Sequence, residues 1–306
     1  MLLSVVIPVW NRAEVIVRCI NSVLAQELDE LELIVVDNGS TDATAATIAA
    51  ISDRRVRLLS LEKNMGASAA RNAGLAAATG TYVAFVDSDD AFGPQWSQVV
   101  TQALATDAAV VTCGFAMLDQ QGRWRYDQAC QDMGPAFFHL VGPFQAGTFA
   151  AKTAVMRTCG GYTTDLWYSE NTELALRLSK HCHDQSLVTS HLDQPLLQWF
   201  HNPEHVYVSQ TRMRATTYLL AVHHDQLARD RPQLVSYHSQ LGVWNARCDD
   251  LQGARQQFWS ALKADWRSWR NIGRFAIATN RCTAARVWPS EPRQSGKITR
   301  SSSAAR

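Results

Sequence analysis

In the first ninety residues, short apolar runs without polar alternation are separated by segments of helical period. "LLSVVIPV", "LELIVVD" and "TYVAFVD" are such runs, and "RVRLLSL" is a more polar one. Between them lie "AEVIVRCINSVLAQ", "TDATAATIAAIS" and "ASAARNAGLAAATG", the last ending on Gly80. A strand that is apolar at every position is covered on both faces, and strands that alternate with helices pair in parallel. The expectation is an open α/β sheet, mostly parallel and flanked by helices.

Such sheets bind ligands outside the carboxyl ends of their strands. Here those ends read "PVWNR", "DNGSTD", "LEKNMGASAARN" and "DSDD", so the polar chemistry is concentrated where this architecture uses it. No GxGxxG follows the first strand and no GxxxxGK[ST] occurs, which argues against a dinucleotide fold and a P-loop.

Composition narrows the class further. The 306 residues are 46% hydrophobic and 19% charged, as in ordinary globular chains. A net charge of +1 makes no case for nucleic acid. No apolar run approaches the roughly 20 residues of a membrane span. The apolar start lacks a basic lead and a small-residue cleavage site, so it reads as a first strand rather than a signal. Seven scattered Cys without a CxxC pair suggest reduced, mostly buried thiols and a cytoplasmic address.

The fourth strand runs into Asp87, Ser88, Asp89 and Asp90. Clustered carboxylates repel unless a cation is present, and oxygen ligands of this kind suit Mg²⁺ or Mn²⁺. A DxD there is suited to a metal–diphosphate; an Asp-rich turn is the plain structural alternative.

Three ordered blocks, "SVVIPVWNR", "ELIVVDNGSTDATAATI" and "NMGASAARNAGLAAATGTYVAFVDSDD", resemble glycosyltransferase family 2, whose catalytic domain has the GT-A fold. The resemblance is close over residues 3 to 95, weaker to about 210 and absent beyond. It implies a nucleotide-sugar donor, usually a uridine diphosphate (UDP) sugar, and inversion at the anomeric carbon. By position, Pro8, Val9 and Asn11 would border the nucleoside and Asp37 would hydrogen-bond the base. Asp87, with Ser88 beside it, would face the ribose, and Asp89 would ligate the metal. Asn64, Gly66 and Arg71 would close the pocket. The family's base lies in a Glu-Asp pair at the start of a helix. In "YSENTELALRL" the Glu is Glu170, but Asn171 stands where the Asp belongs, and Asn cannot accept the proton. Glu170 is the nearest substitute and Glu173 the next.

"LLQWFHNPEHVYVSQ" resembles the stretch where the family often places a Tyr-Arg-x-His, which makes His201 or His205 a candidate for the diphosphate or metal. Pro203 prevents a helical His pair. Trp167 and Tyr168, just before the candidate base, are placed to stack on an acceptor sugar.

The expected organisation is a GT-A domain over 1–210, a small helical appendage over 211–288 and a disordered tail over 289–306, which is Pro-, Ser- and Arg-rich. In the appendage, Ala254, Phe258, Ala261 and Leu262 share one helical face. "LGVWNARCDDLQGARQQFWSALKADWRSW" resembles one tetratricopeptide-like hairpin, too little to stand alone. The reading favours an inverting hexosyltransferase acting on a saccharide or lipid-linked acceptor in polysaccharide synthesis. It would be cytoplasmic, with possible peripheral association at the inner face of the membrane. A catalytically weak relative that binds nucleotide-sugar or partners is the alternative, motivated by Asn171. A nucleotidylyltransferase is disfavoured, because "PVWNRAEV" lacks a Gly-rich basic phosphate loop.

Overall fold

A computed structural model describes residues 2–201 and 209–289. These divide into two compact units, one within 1–206 and 223–230, the other within 207–222 and 231–306. The chain thus returns to the first unit for residues 223–230, crossing the expected boundary near 210 more than once. The expected tail from residue 290 onward lies outside the described residues.

The first unit begins β1 (Leu3–Val9), α1 (Ile16–Leu24), β2 (Leu31–Asp37), α2 (Thr44–Ala49), β3 (Val56–Ser60), α3 (Ala67–Ala77) and β4 (Tyr82–Phe85). It continues with β5 (Ala91–Phe92), α4 (Gln98–Thr106), β6 (Val110–Leu118), β7 (Trp124–Gln128), β8 (Phe149–Lys152), α5 (Thr153–Thr158), α6 (Glu170–Asp184) and β9 (Thr189–Phe200). Among the described residues the strands form one mixed sheet in the order β3-β2-β1-β4-β8-β6-β9-β5, with β7 on β6. From β3 to β4 every pairing is parallel, as the apolar runs predict. All seven residues of β1 are buried because helices cover both faces of the sheet around it. Antiparallel β8 then joins β4 to β6, and β6 pairs with β9 in parallel. β6 and β7 form an antiparallel hairpin that turns at Gln121-Gly122.

One close approach sets the geometry of the site. A Cβ on Gly74 of α3 would lie 2.3 Å from Val6 Cγ1, so glycine lets α3 settle directly onto β1. The same buried stripe of α3 holds Ser68, Ala70, Arg71, Gly74 and Leu75, so this packing carries a guanidinium inward. On the other side of the sheet, Trp96 is fully buried, stacks on Phe92 at 3.9 Å and donates from Nε1 to Gly147 O.

The second unit holds α7 (Ser209–Val222), and α8 (His224–Leu227) follows it back in the first unit. Then come α9 (Arg231–Arg247), α10 (Leu251–Ala264), α11 (Trp269–Ala278) and α12 (Arg281–Val287), all in the second unit. Ala246, Ala254, Phe258, Ala278, Ala284 and Trp288 form its core. Ala254, Phe258 and Ala261 are buried as expected, while Leu262 is only half-buried. Asp250 caps α10 by accepting from Gly253 N at 2.8 Å. The α9–α10 hairpin is present; its tetratricopeptide likeness rests on sequence alone. No described helix is long and apolar enough to cross a membrane.

Candidate active site

The ends of β1, β2 and β3 lie in register, Val9 opposite Asp37 and Asp37 opposite Ser60. Pro8 sits in this last turn of β1 beyond the pairing with β4, which stops at Val6. Its missing N–H therefore removes no bond on that side.

Polar side chains tie the three following loops together. Asn11 adopts the left-handed region at φ 50° and accepts from Thr41 N at 2.8 Å. Its own N donates to Ser40 Oγ. Asp37 is 5% exposed, and its Oδ1 accepts from Ser40 N at 3.0 Å. That bond closes the turn after β2, and Oδ2 has no hydrogen-bond partner among the described residues. Asn38 donates to Asn64 Oδ1 at 2.9 Å and accepts from Met65 N at 3.0 Å, and Asn64 Oδ1 also accepts from Gly66 N. Gly66 has φ 90°, and a Cβ there would meet the Trp167 ring at 3.5 Å. Trp167, half-exposed, thus lies over the start of α3 rather than standing free before α6. Asn38 was not singled out in the sequence, although it adjoins Asp37 in "VVDNGSTD".

Asp87 to Asp90 form a tight turn closed by Asp90 N donating to Asp87 O. Ser88 is buried within it. Asp90 is 4% exposed and accepts from Phe200 N at 3.0 Å. Burial raises its carboxyl well above the usual range, and the charges of Asp89 and Asp87 push it the same way. The Cys19 thiol beneath is raised by burial and by the same three acids, which makes it inert. The end of β4 thus gathers three carboxylates within four positions, of which Asp87 is paired with Arg71. Arg18 donates to the Asp89 carbonyl and lies 3.6 Å over the Phe200 ring.

Arg71 crosses this region. It is 2% exposed and donates to Asp87 Oδ1 at 2.6 Å and to Glu170 Oε1 at 3.2 Å. Burial alone would lower its pKa, but Asp87, Tyr162 and Glu170 outweigh it and keep the guanidinium charged. Its Nε has no hydrogen-bond partner among the described residues. At the head of α6, Asn171 Nδ2 donates to Glu170 Oε1 at 3.4 Å, while Tyr162 Oη donates to Asn171 Oδ1 at 3.2 Å. Burial raises the Tyr162 hydroxyl, so it keeps its proton as a donor. A continuous chain results: Tyr162, Asn171, Glu170, Arg71, Asp87. Tyr162 was missed in the sequence; only its place after "GG" marked it.

Glu173 is placed differently from Glu170. It is 1% exposed, and Arg177 and His223 Nε2 occupy its oxygens at 2.5 to 3.0 Å. Burial raises its pKa, yet the bonds from His223 and Arg177 outweigh that and leave it lowered. A carboxylate closed off in this way holds α6 in place, and an acceptor hydroxyl cannot reach it. Arg177 stands one turn along α6 from Glu173, the spacing that favours such an ion pair. Ser169 occupies the position before α6 with φ 62° but makes no side-chain cap.

His201 is exposed; its N donates to Leu118 O, and its ring lies 5.7 Å from Trp199. Among the described residues no group of three or more His, Cys, Asp or Glu side chains is placed to hold a metal, so Asp89 and His201 belong to no such cluster. His205 lies outside the described residues. The thiols are free; Cys19, Cys113 and Cys182 are buried, but Cys282 is exposed and the other three are half-buried, so burial is less general than expected.

Acids and amides thus gather at the strand ends of an α/β sheet, where such sheets bind ligands, and Arg71 links them to a carboxylate at the head of α6. The chain belongs to glycosyl transferase family 2, whose model matches residues 4–163. Among curated relatives, the succinoglycan biosynthesis protein ExoO of Rhizobium meliloti is 43% identical over 119 residues, 39% of this chain and 34% of that protein. The glycosyltransferase GlyG of Streptococcus pneumoniae is 33% identical over 143 residues, 46% of this chain and 44% of that protein. The matches span less than half the length of these relatives. Among solved structures, S. aureus TarS 1-349 in complex with UDP-GlcNAc superposes with a TM-score of 0.62 at 17% identity, covering 91% of this chain and 90% of that one. This likeness shows the GT-A fold.

Proposed function

We propose that this chain is an inverting glycosyltransferase that moves a sugar from a UDP-sugar to a saccharide or lipid-linked acceptor in polysaccharide synthesis. The observation that carries the reading is the Arg71 bridge, which joins Asp87 at the donor end of β4 to Glu170 at the head of α6. Donor hold and proton acceptance, the two demands of transfer to a hydroxyl, meet in one network. ExoO is named for succinoglycan biosynthesis and one TarS structure contains UDP-GlcNAc, which favour the donor and product classes.

The residues suit a hard divalent cation of the Mg²⁺ or Mn²⁺ kind. Asp87, Asp89 and Asp90 crowd three carboxylates into four positions at the end of β4, and such an ion relieves that crowding. With no three-ligand cage among the described residues, Asp89 would hold it alongside water and diphosphate oxygens. When bound, it supplies charge neutralisation for the departing diphosphate. Asp37 Oδ2 is left to receive the base and Asp87 the ribose, while Pro8, Val9 and Asn11 border the nucleoside.

Glu170 takes the acceptor proton in this mechanism. Its Oε1 is held by Arg71 and Asn171, which fixes the carboxylate plane. Oε2 makes no hydrogen bond to a described residue and is left for the hydroxyl. Asn171 thereby becomes a positioning residue, oriented by Tyr162. Glu173 takes no part in the transfer.

The test is donor stabilisation and transfer with Mn²⁺ across UDP-sugars. One donor should raise Tm through linkage and support transfer. Asp89→Asn should keep the fold and lose the Mn²⁺-dependent shift. Full transfer in excess chelator would remove the metal from the scheme, and no stabilisation by any UDP-sugar would sink the donor assignment. The second reading, a weakened relative, rests on Asn171 itself. It gains the lead if Asn171→Asp raises transfer sharply while Glu170→Gln changes nothing.

A further inference from the structure

Helices α10 and α11 present a surface that catalysis does not use. Residues 255–286 contain seven Lys or Arg and one acid, Asp265, a surplus of six in a chain whose net charge is only +1. The remainder of the chain is therefore net acidic. None of these seven cations forms an ion pair with a described residue. Instead, Arg267 lies 5.3 Å from the Trp266 ring and Arg270 lies 5.5 Å from the Trp269 ring. Arg270 and Arg274 are one turn apart, and burial with that like charge lowers Arg274.

The same surface exposes apolar groups. Trp266 and Trp269 are 70% and 73% exposed, and Trp259 and Ile272 are about half-exposed. Trp269, Ile272 and Ala276 follow helical spacing on the outward face of α11, whereas Asn271 and Ala278 face the core. An amphipathic helix normally turns polar groups to water; this one turns indole and isoleucine outward. Trp259 of α10 touches Phe275 of α11 at 5.9 Å, so the exposed apolar groups of the two helices are continuous.

We propose that this face docks on an anionic lipid bilayer, with Trp266, Trp269 and Ile272 entering the headgroup boundary and Arg267 and Arg270, beside the indoles, meeting lipid phosphates. Indoles favour that boundary, where one edge is apolar and the other wet. Unpaired guanidinia gain from the surface potential of anionic lipid. Both features must be served by one occupant, and the charge decides which. A second copy would bring like charges face to face. A nucleic acid would satisfy the guanidinia but leave Ile272 without an apolar partner.

Co-sedimentation of the full chain with vesicles tests this. Binding is expected to phosphatidylglycerol-rich vesicles and not to pure phosphatidylcholine, and it should weaken with salt. The double variants Arg267→Glu with Arg270→Glu, and Trp266→Ser with Trp269→Ser, should each lower partitioning at least about tenfold. Their Tm should be unchanged, because all four side chains are exposed. Equal binding to both lipids, no binding at all, or full binding by either variant would overturn the proposal. So would a wild-type dimer that ignores vesicles and becomes monomeric in the Trp variant, which would assign the face to a second copy.

Discussion

Arginine is handled in opposite ways by the strand ends of the first unit and by helices α10 to α12 of the second. Arg71 is buried and bridges two carboxylates, with an aromatic ring 4.9 Å away. Arg267 and Arg270 are exposed, rest beside indoles and have no acid partner among the described residues. In the first region the cation is already matched, so the site is preorganised and its chemistry depends on a small polar ligand fitting the remaining groups. In the second the cations are unmatched, so stability is indifferent to them and only binding uses them. Burial is what separates the two: a desolvated charge requires a partner, whereas a hydrated one does not.

The largest effect that sharpens this comparison is kinetic. Glu170→Gln removes the proton-accepting charge while keeping the shape. Transfer should fall about 10²- to 10⁴-fold with donor binding retained. Steady-state assays with separate donor-binding measurements check this, and normal turnover would move the base elsewhere.

Arg71→Met should come next. It leaves Glu170 and Asp87 without their cation, and Asp87, 38% exposed, recovers some hydration. A loss of about 2–3 kcal/mol in urea unfolding is expected. A neutral result would mean that the bridge is not structural.

Glu173 provides a pH test within the first unit. Its folded-state pKa is lowered, so its stabilising contribution is complete above the ordinary Glu value of about 4.3 and is lost as pH falls through the folded value. The stability gap between wild type and Glu173→Gln should therefore be widest near neutrality and narrow below about pH 4. A gap that widens on acidification would contradict the His223 and Arg177 pairing.

The smallest effect belongs to the second region. Arg267→Gln should change stability by no more than about 0.5 kcal/mol, as expected at an unpaired surface position. A cost comparable to that of Arg71→Met would abolish the contrast between the regions.

Much of this was legible in one dimension because it is local. An apolar run covered on both faces must be an interior strand, and "DSDD" must lie at its end, so β1 to β4 and their polar loops followed from the order of residues alone. The same holds for Ala254 and Phe258, whose helical spacing puts them in the core of the second unit. The departure at Asn171 was also visible, because it is a matter of identity at one position.

What the sequence could not decide was contact across distance. Arg71 and Glu170 are separated by 99 residues, and only the packing of α3 on β1 at Gly74 brings the guanidinium within reach of both acids. Glu170 and Glu173 lie one turn apart on the same helix, and their neighbours in sequence do not distinguish them. Tertiary packing does: it opens one to solvent at 18% and closes the other against His223, 50 residues away. The reach of a buried charge is set by which elements surround it, and that is determined only when the chain has folded.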